Sequence, residues 1–293
     1  MELRQLTSFV TIAKLGSITQ AANVLGYAQS SITTQMQLLE MELGAKLFER
    51  LGRNLNLSSA GLKLLPYAQQ ILQLSHEAQQ VLAVGETLKG TLTIGAVESL
   101  CVKRLPELVK EFRQRYPAVE LVLKLGNCID FPQLLADNFI DVAFSLGQQN
   151  IPAYLISECC CEEPMVLLAP PGHPLLARPA VSPHDLAGTP LILTEATCPY
   201  RSVFETILKE AGIQPYSVLE TGSLQAIKQF AMSGLGITLL PAIAVTEELA
   251  TGRLVKLPWA GPDFEMKTQV LYHKDKWLAP PIRALLDLAT EML

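Results

Sequence analysis

Apolar positions recur at helical spacing through the first eighty residues. In "LRQLTSFVTIAKL", residues 3–15, Leu3, Leu6, Phe9, Val10 and Ala13 share one face, which predicts a helix that Gly16 stops. Ser17 caps "ITQAANVLG", where Ile18, Ala21, Ala22 and Leu25 point inward and Gly26 ends the helix. "AQSSITTQMQLLEMELG", residues 28–44, carries Ile32, Met36, Leu39 and Leu43 on one stripe. Two short amphipathic helices joined by a Gly-containing turn make a helix-turn-helix pattern, and the small Ala21 and Ala22 let the helices approach closely. Leu47 and Phe48 read as buried. Leu55 and Leu57 alternate with Asn54 and Asn56, which predicts a short hairpin, or wing, around Gly52 and Arg53. Ser58 or Ser59 then caps a long helix to about residue 88. Its Leu64, Tyr67, Ile71, Leu74, Ala78 and Val81 follow a three-four repeat, a seam that needs a partner chain, and Pro66 predicts a kink.

From Gly90 the period changes. "TLTIGA" reads as a strand, followed by a helix to about Arg115, the strand "VELVLKLG", a helix around 130–139 and the strand "DVAFSL". "PMVLLAP", "PLILT", a helix at 201–211, "SVLETG", a helix at 224–233, "ITLLP" and "LVKLPW" repeat the scheme. A last strand, "MKTQVLYHK", precedes a C-terminal helix. Alternating strands and helices predict an α/β fold with helices on both faces of parallel sheet. In such sheets ligands sit at strand ends that lead into helices. That rule selects Ser99, Leu100 and Cys101 after the first strand, and Asn127 and Cys128 after the second. It also selects Thr197, Cys198, Tyr200 and Arg201 after "PLILT", and Gly222 and Ser223 after "SVLETG". Free N–H groups and hydroxyls there favour a small organic anion, or serve only as helix caps. Arg201 pairs either with a ligand carboxylate or with Glu205 one turn on.

Composition narrows the class. The 293 residues allow about two domains, and 49% hydrophobic against 17% charged residues supplies an ample core. A net charge of −5 argues against nucleic-acid binding along the whole chain. Residues 1–65 nevertheless carry six basic against four acidic side chains, and the remainder 17 against 24. "MELRQL" lacks a signal-peptide pattern and no apolar run is long enough to span a membrane, so the expected location is cytoplasmic, with no membrane partner. The six cysteines form no CxxC pair and no His-rich partner spacing, so neither a zinc ribbon nor a disulfide framework is implied; no metal site and no cofactor is expected. Cys101, Cys128 and Cys198 fall in loops at one cleft, which keeps a thiol-redox or metal-responsive regulator as the alternative. In "ECCCEEP", 158–164, successive thiols alternate faces of a strand and cannot all ligate one metal. No nucleophile–base pair is suggested, so the chain is not expected to be an enzyme.

The third helix carries the sharpest signal. Opposite its apolar stripe stand Gln29, Ser30, Thr33, Thr34 and Gln37, all uncharged hydrogen-bonding groups. Such side chains reach base edges and phosphates in a major groove, and they lie at the start of the second helix of the pattern. Arg50 and Arg53 follow and suit phosphates or the minor groove. The expected partner is a double-stranded DNA operator.

"LRQLTSFVTIAKLGSITQAANVLG", "LGAKLFERLGRNLNLSSAG" and "APPGHPLLARP" resemble the LysR-type transcriptional regulators, densely over residues 1–70 and in element order to the end. The resemblance implies a winged helix-turn-helix over 1–58, a dimerising linker helix over 59–89, and an effector-binding domain over 90–293. That last domain would hold two α/β subdomains like periplasmic binding proteins, the first about 90–162 and 267–293, the second about 163–266. It implies a small-molecule effector between them, a homodimer through the linker and a homotetramer built of dimers. Family base contacts fall on Gln29, Ser30, Thr33 and Thr34, with the wing at Arg53. Where the family commonly has Ser, then Pro two residues on, then Arg four further, this chain has Ala28, Ser30 and Thr34. The missing Arg removes a strong contact. Some peroxide-sensing members use a Cys near the position of Cys198, but no resolving Cys follows in "PYRSVFETILKEAG".

Overall fold

The structure, a computed structural model, describes residues 1–51, 54–81, 88–148 and 151–293. It divides into two compact units, residues 1–86 with 136–139, and residues 87–135 with 140–293.

The first unit contains α1 (Leu3–Leu15), α2 (Ile18–Leu25), α3 (Gln29–Leu43), the antiparallel strands β1 (Phe48–Leu51) and β2 (Asn54–Leu57), and α4 (Ser59–Val81). Gly16 and Gly26 close α1 and α2 in the left-handed region, φ 64° and 69°, where a side chain would be strained. Ser17 Oγ accepts the Gln20 N–H at 3.3 Å, and Ser58 Oγ accepts the Gly61 N–H at 3.0 Å, so Ser58 rather than Ser59 caps α4. Leu6, Phe9, Ile12, Ile32, Met36, Leu39 and Leu47 fill the core, with Phe9 and Phe48 rings 5.5 Å apart. Each fully buried side chain of that size contributes about 1.5–3 kcal/mol. Two residues of the predicted stripes stay out: Leu3 is 45% and Leu43 40% exposed. Both are terminal residues of their helices and overhang the core, and Ile12 takes the inward place on α1.

Helix α4 runs unbroken through Pro66. Its Ala68 is buried and Leu64, Leu65, Ile71 and Leu72 pack against the same core, whereas Leu62, Tyr67 and Leu74 are exposed. The predicted seam therefore splits: Leu64 and Ile71 belong to the first unit's own core. At Gly61 a Cβ would lie 2.1 Å from the Leu47 carbonyl oxygen, so only glycine lets the helix meet the wing strand.

The second unit contains β3 (Gly90–Ala96), α5 (Glu98–Lys103), α6 (Leu105–Arg115), β4 (Val119–Leu125), α7 (Phe131–Ala136), β5 (Val142–Gly147) and β6 (Leu155–Glu162). It continues through β7 (Met165–Ala169), β8 (Pro190–Leu193), α8 (Pro199–Glu210), β9 (Tyr216–Glu220), α9 (Leu224–Met232), β10 (Thr238–Pro241) and α10 (Thr246–Ala250). Strands β11 (Val255–Lys256) and β12 (Lys267–His273) and helix α11 (Pro280–Met292) complete it.

Two sheets result. The first has the order β4-β3-β5-β12-β6. In the second, β9 pairs with β8, a bridge joins Leu191 to Ile237 beside β10, and β10-β7-β11 follow. Neither sheet is all parallel. Strands β3, β4 and β5 are parallel, but β12 runs antiparallel to both β5 and β6, and β7 antiparallel to β10 and β11. Apolar patterning does not report strand direction, so it could not separate the parallel from the antiparallel pairs. The single helix predicted up to Arg115 is two, α5 and α6. Pro106, second in α6, has no N–H to continue a helix from residue 102, and its ring would strike that carbonyl.

The chain crosses between the sheets twice, at residues 163–164 and 257–266. Glu163 N–H donates to the Met266 carbonyl at 2.8 Å, which ties the two crossings together. The Glu163 carboxylate, 2% exposed, accepts from Arg104 Nη2 and from Thr268 Oγ1, both at 3.0 Å. One apolar core runs through both lobes, from Leu92 and Phe144 to Phe204, Ile237 and Leu257.

Candidate functional site

On α3, Gln29, Ser30, Thr34 and Gln37 are exposed and Thr33 is half-buried, while Ile32, Met36 and Leu39 hold the other face down. The row is thus carried by a helix whose position is fixed by its own core. Thr33 Oγ1 donates to the Gln29 carbonyl at 2.9 Å and Thr34 Oγ1 to the Ser30 carbonyl at 3.0 Å. Gln29 Oε1 accepts from Thr19 Oγ1 at 3.2 Å, which orients the amide from the neighbouring helix. Ser8 Oγ donates to Gln35 Oε1 at 2.6 Å beneath the row. Ala28, at the helix N-terminus, makes no side-chain cap. Arg53 lies outside the described residues, as does the side chain of Arg50. Glu40 anchors the far end: it accepts from the Leu47 N–H and from Lys46 Nζ. Burial pushes its carboxyl up, but these bonds outweigh that and hold it below the usual carboxylate range.

Within the second unit, a cavity of about 420 Å³ opens between the two lobes. The segments that follow β3 and β4 supply Ser99, Asn127 and Cys128, and those that follow β8 and β9 supply Thr197, Cys198, Tyr200, Gly222 and Ser223, with Ser99 and Tyr200 each second in its helix. These eight residues, chosen from the strand-to-helix pattern, are brought together. Leu100, Cys101 and Arg201 are not. Leu100 is fully buried in the apolar core, and Cys101, the next residue on α5, packs against that core from outside the cavity. Arg201 Nε donates to Glu205 at 2.8 Å, and its Nη1 is held by Glu220 and by the Thr194 carbonyl, so its charge is spent within the lobe.

Sequence reasoning missed Val97, Glu98, Leu125, Leu146, Thr194, Glu195, Pro199 and Leu224, which also line the cavity. Glu98 matters most: its Oε2 accepts the Leu224 N–H at 3.0 Å, joining the first lobe to the start of α9 in the second. Ser223 Oγ accepts the Ala226 N–H at 3.3 Å and so caps its own helix.

Two of the thiols, Cys128 and Cys101, sit where reactivity is suppressed. Burial pushes the Cys128 thiol up, and the nearby Cys198 adds to the effect. Burial and the neighbouring Glu98 raise Cys101. A raised thiol is protonated at neutral pH and is a poor nucleophile. Burial also pushes the Tyr200 hydroxyl well above its ordinary value, so it stays a neutral donor. Strand β6 carries Cys159, Cys160 and Cys161 in succession. Among the described residues no group of three or more His, Cys, Asp or Glu side chains is placed to hold a metal ion, and no helix is long and apolar enough to cross a membrane.

Comparison with known proteins adds to this geometry. The family model "Bacterial regulatory helix-turn-helix protein, lysR family" matches residues 3–62, and "LysR substrate binding domain" matches residues 85–293. The uncharacterized HTH-type transcriptional regulator YwqM of Bacillus subtilis is 41% identical over 290 residues, 98% of each chain. A full-length OxyR variant from Pseudomonas aeruginosa superposes with a TM-score of 0.75 at 24% identity, covering 99% of this chain and 94% of its own. CbnR in complex with its target DNA gives a TM-score of 0.71 at 23% identity and 99% coverage of each chain. At that identity the two structures speak for the fold alone.

Proposed function

Because the chain belongs to the LysR family of bacterial transcriptional regulators, whose members regulate transcription rather than catalyse reactions, we propose that a small-molecule effector in the cavity between the lobes controls how it binds DNA. The observation that carries this reading is the cavity itself. Both lobes line it, four strand-to-helix loops meet there, and one side-chain contact, Glu98 to Leu224, already spans it. A ligand that prefers one separation of the lobes shifts the population toward it. In an assembly of several chains, that shift changes how the DNA-binding heads are spaced. The proposed division is a head over 1–58, a linker over 59–89 and an effector-binding region over 90–293, in a cytoplasmic homodimer that pairs into a tetramer. The exposed Tyr67 and Leu74 on α4 support the dimer, and the family supports the tetramer. The raised Cys128 thiol weighs for a metabolite and against a thiol signal in the cavity.

For DNA reading the proposal assigns base contacts to Gln29, Ser30, Thr33, Thr34 and Gln37, with Arg50 and Arg53 on the backbone or minor groove. Gln29→Ala is expected to weaken binding to the operator by about 1–3 kcal/mol while leaving random DNA nearly unaffected. Arg53→Ala should weaken both and flatten the salt dependence. Gel retardation over a salt series reads both, and equal losses on operator and random DNA for Gln29→Ala would remove it from the reading set.

The effector reading is tested by a metabolite screen on the full chain. A compound that binds only the folded state at about 100 times its dissociation constant adds about 2.7 kcal/mol and raises the melting temperature. The expected hit also changes the retarded band. A screen whose stabilising compounds all leave DNA binding untouched would argue against effector control.

A further inference from the structure

The cavity has a definite electrostatic sign. Glu98 and Glu195 are its charged lining residues, one from each lobe, and no Lys, Arg or His lines it among the described residues. Several of the groups that would welcome an anion are taken or missing. The first amide of α9, Leu224 N–H, is held by Glu98, and the Ala226 N–H by Ser223 Oγ. Helix α8 begins with Pro199, which has no N–H to offer. The Cys198 N–H donates to the Glu195 carbonyl at 2.9 Å, and Arg201 is bound to Glu205 and Glu220. A carboxylate ligand would therefore enter a partly enclosed space facing two like charges, with no cation among the described lining residues to offset them.

The absence of a side chain at Gly222 leaves room for the Glu195 carboxylate at the cavity. A Cβ at Gly222 would stand 2.5 Å from Glu195 Oε1, so any side chain at 222 would push the carboxylate aside. Thr194 adds a second polar group. It is 7% exposed and lines the cavity, and its Oγ1 approaches the Tyr200 hydroxyl without forming a hydrogen bond of normal geometry. The remaining wall is largely aliphatic: Val97, Leu125, Leu146 and Leu224.

Resting on the reading of this cavity as the effector site, we infer that the effector is a small amine, a positively charged ammonium on a short apolar body, with the ammonium facing Glu98 and Glu195. An ammonium offers three N–H donors, enough for the two carboxylates and the Thr194 oxygen. The volume of about 420 Å³ suits a metabolite-sized molecule. The sequence pattern pointed to an anion because it shows helix starts and hydroxyls. It does not show that the protein's own carboxylates occupy them.

The test uses three probes with the same carbon chain on the full-length protein: hexylamine, norleucine and hexanoate. The first two carry an ammonium and the third only a carboxylate. We expect hexylamine or norleucine to raise the melting temperature and hexanoate to leave it unchanged. Glu195→Gln, which leaves the Glu98–Leu224 contact in place, should then weaken amine binding by about ten- to a hundredfold, the range for a hydrogen bond to a charged group. Glu98→Gln should act in the same direction. Stabilisation by hexanoate, strengthened in either Gln variant, overturns the amine assignment and leaves the cavity as effector site intact. Amine binding that both Gln variants retain at full strength overturns the assignment by placing the amine elsewhere. If no probe and no compound of the metabolite screen shifts the melting temperature, the cavity reading falls and the inference with it.

Discussion

Asp141→Ala is expected to destabilise the two-lobed unit by about 3–5 kcal/mol, the cost of stranding a buried charge. Lys276 Nζ stands 2.8 Å from Asp141 Oδ1, with the two side chains 2% and 6% exposed. Asp141 Oδ2 also accepts the Thr93 N–H at 2.7 Å, in the middle of strand β3. Truncation removes both partners at once and leaves an ammonium and an amide to find water that cannot reach them. Urea unfolding followed by tryptophan fluorescence reads the loss, since Trp259 and Trp277 both lie in that unit. The companion double variant, Asp141→Ala with Lys276→Met, should recover much of it, because replacing both members of a buried pair costs far less than removing one. A single-variant loss below about 1 kcal/mol would mean that the lysine finds another way to stay solvated.

The second large effect concerns assembly. Tyr67→Asp combined with Leu74→Asp is expected to lower the oligomer size seen by light scattering, because the α4 seam is lost. Affinity for a paired half-site should fall by about 10²–10⁴-fold, the advantage of linking two heads. The two side chains are 64% and 57% exposed, one heptad apart on α4. Neither replacement removes a buried contact of the first unit, so its helices should keep their melting transition. Ile71 would be a poor choice for the same experiment, because it packs against that unit's core. A double variant that keeps its oligomer size and its operator affinity would move the dimer seam away from α4.

Legibility in the sequence followed locality. Glycine stops, the serine caps and the apolar stripes gave the helix-turn-helix, because each signal acts within a turn or two of its own residue. The same locality explains the errors. Leu3 and Leu43 fit the stripes by spacing, but a helix end can overhang the surface it should cover. Leu64 and Ile71 keep the heptad repeat, yet one helix face can serve two partners, and spacing does not say which. In the second unit the strand-to-helix loops were found, since a change of period marks them. Whether a side chain there enters the cavity depends on helix phase and on distant partners. Arg201 is turned away by Glu220, nineteen positions on, and Glu98 is drawn across by Leu224, which lies 126 positions away. Strand direction was equally invisible, because apolar alternation is the same read forwards or backwards.

Gly61 has a consequence for how the first unit tolerates change. Residues in a core are usually intolerant in proportion to the apolar surface they bury. Gly61 buries no side chain, yet a single methyl group there would press 2.1 Å from the Leu47 carbonyl oxygen, which already accepts the Ser58 N–H at 2.9 Å. The helix would have to slide or tilt as a body, because neither backbone can yield alone. Position 61 thus works as a datum surface between wing and linker, a place where tolerance is set by clearance alone. Two chains differing throughout their hydrophobic cores could share this spacing, whereas two chains identical everywhere else could not share it if one carried alanine at 61.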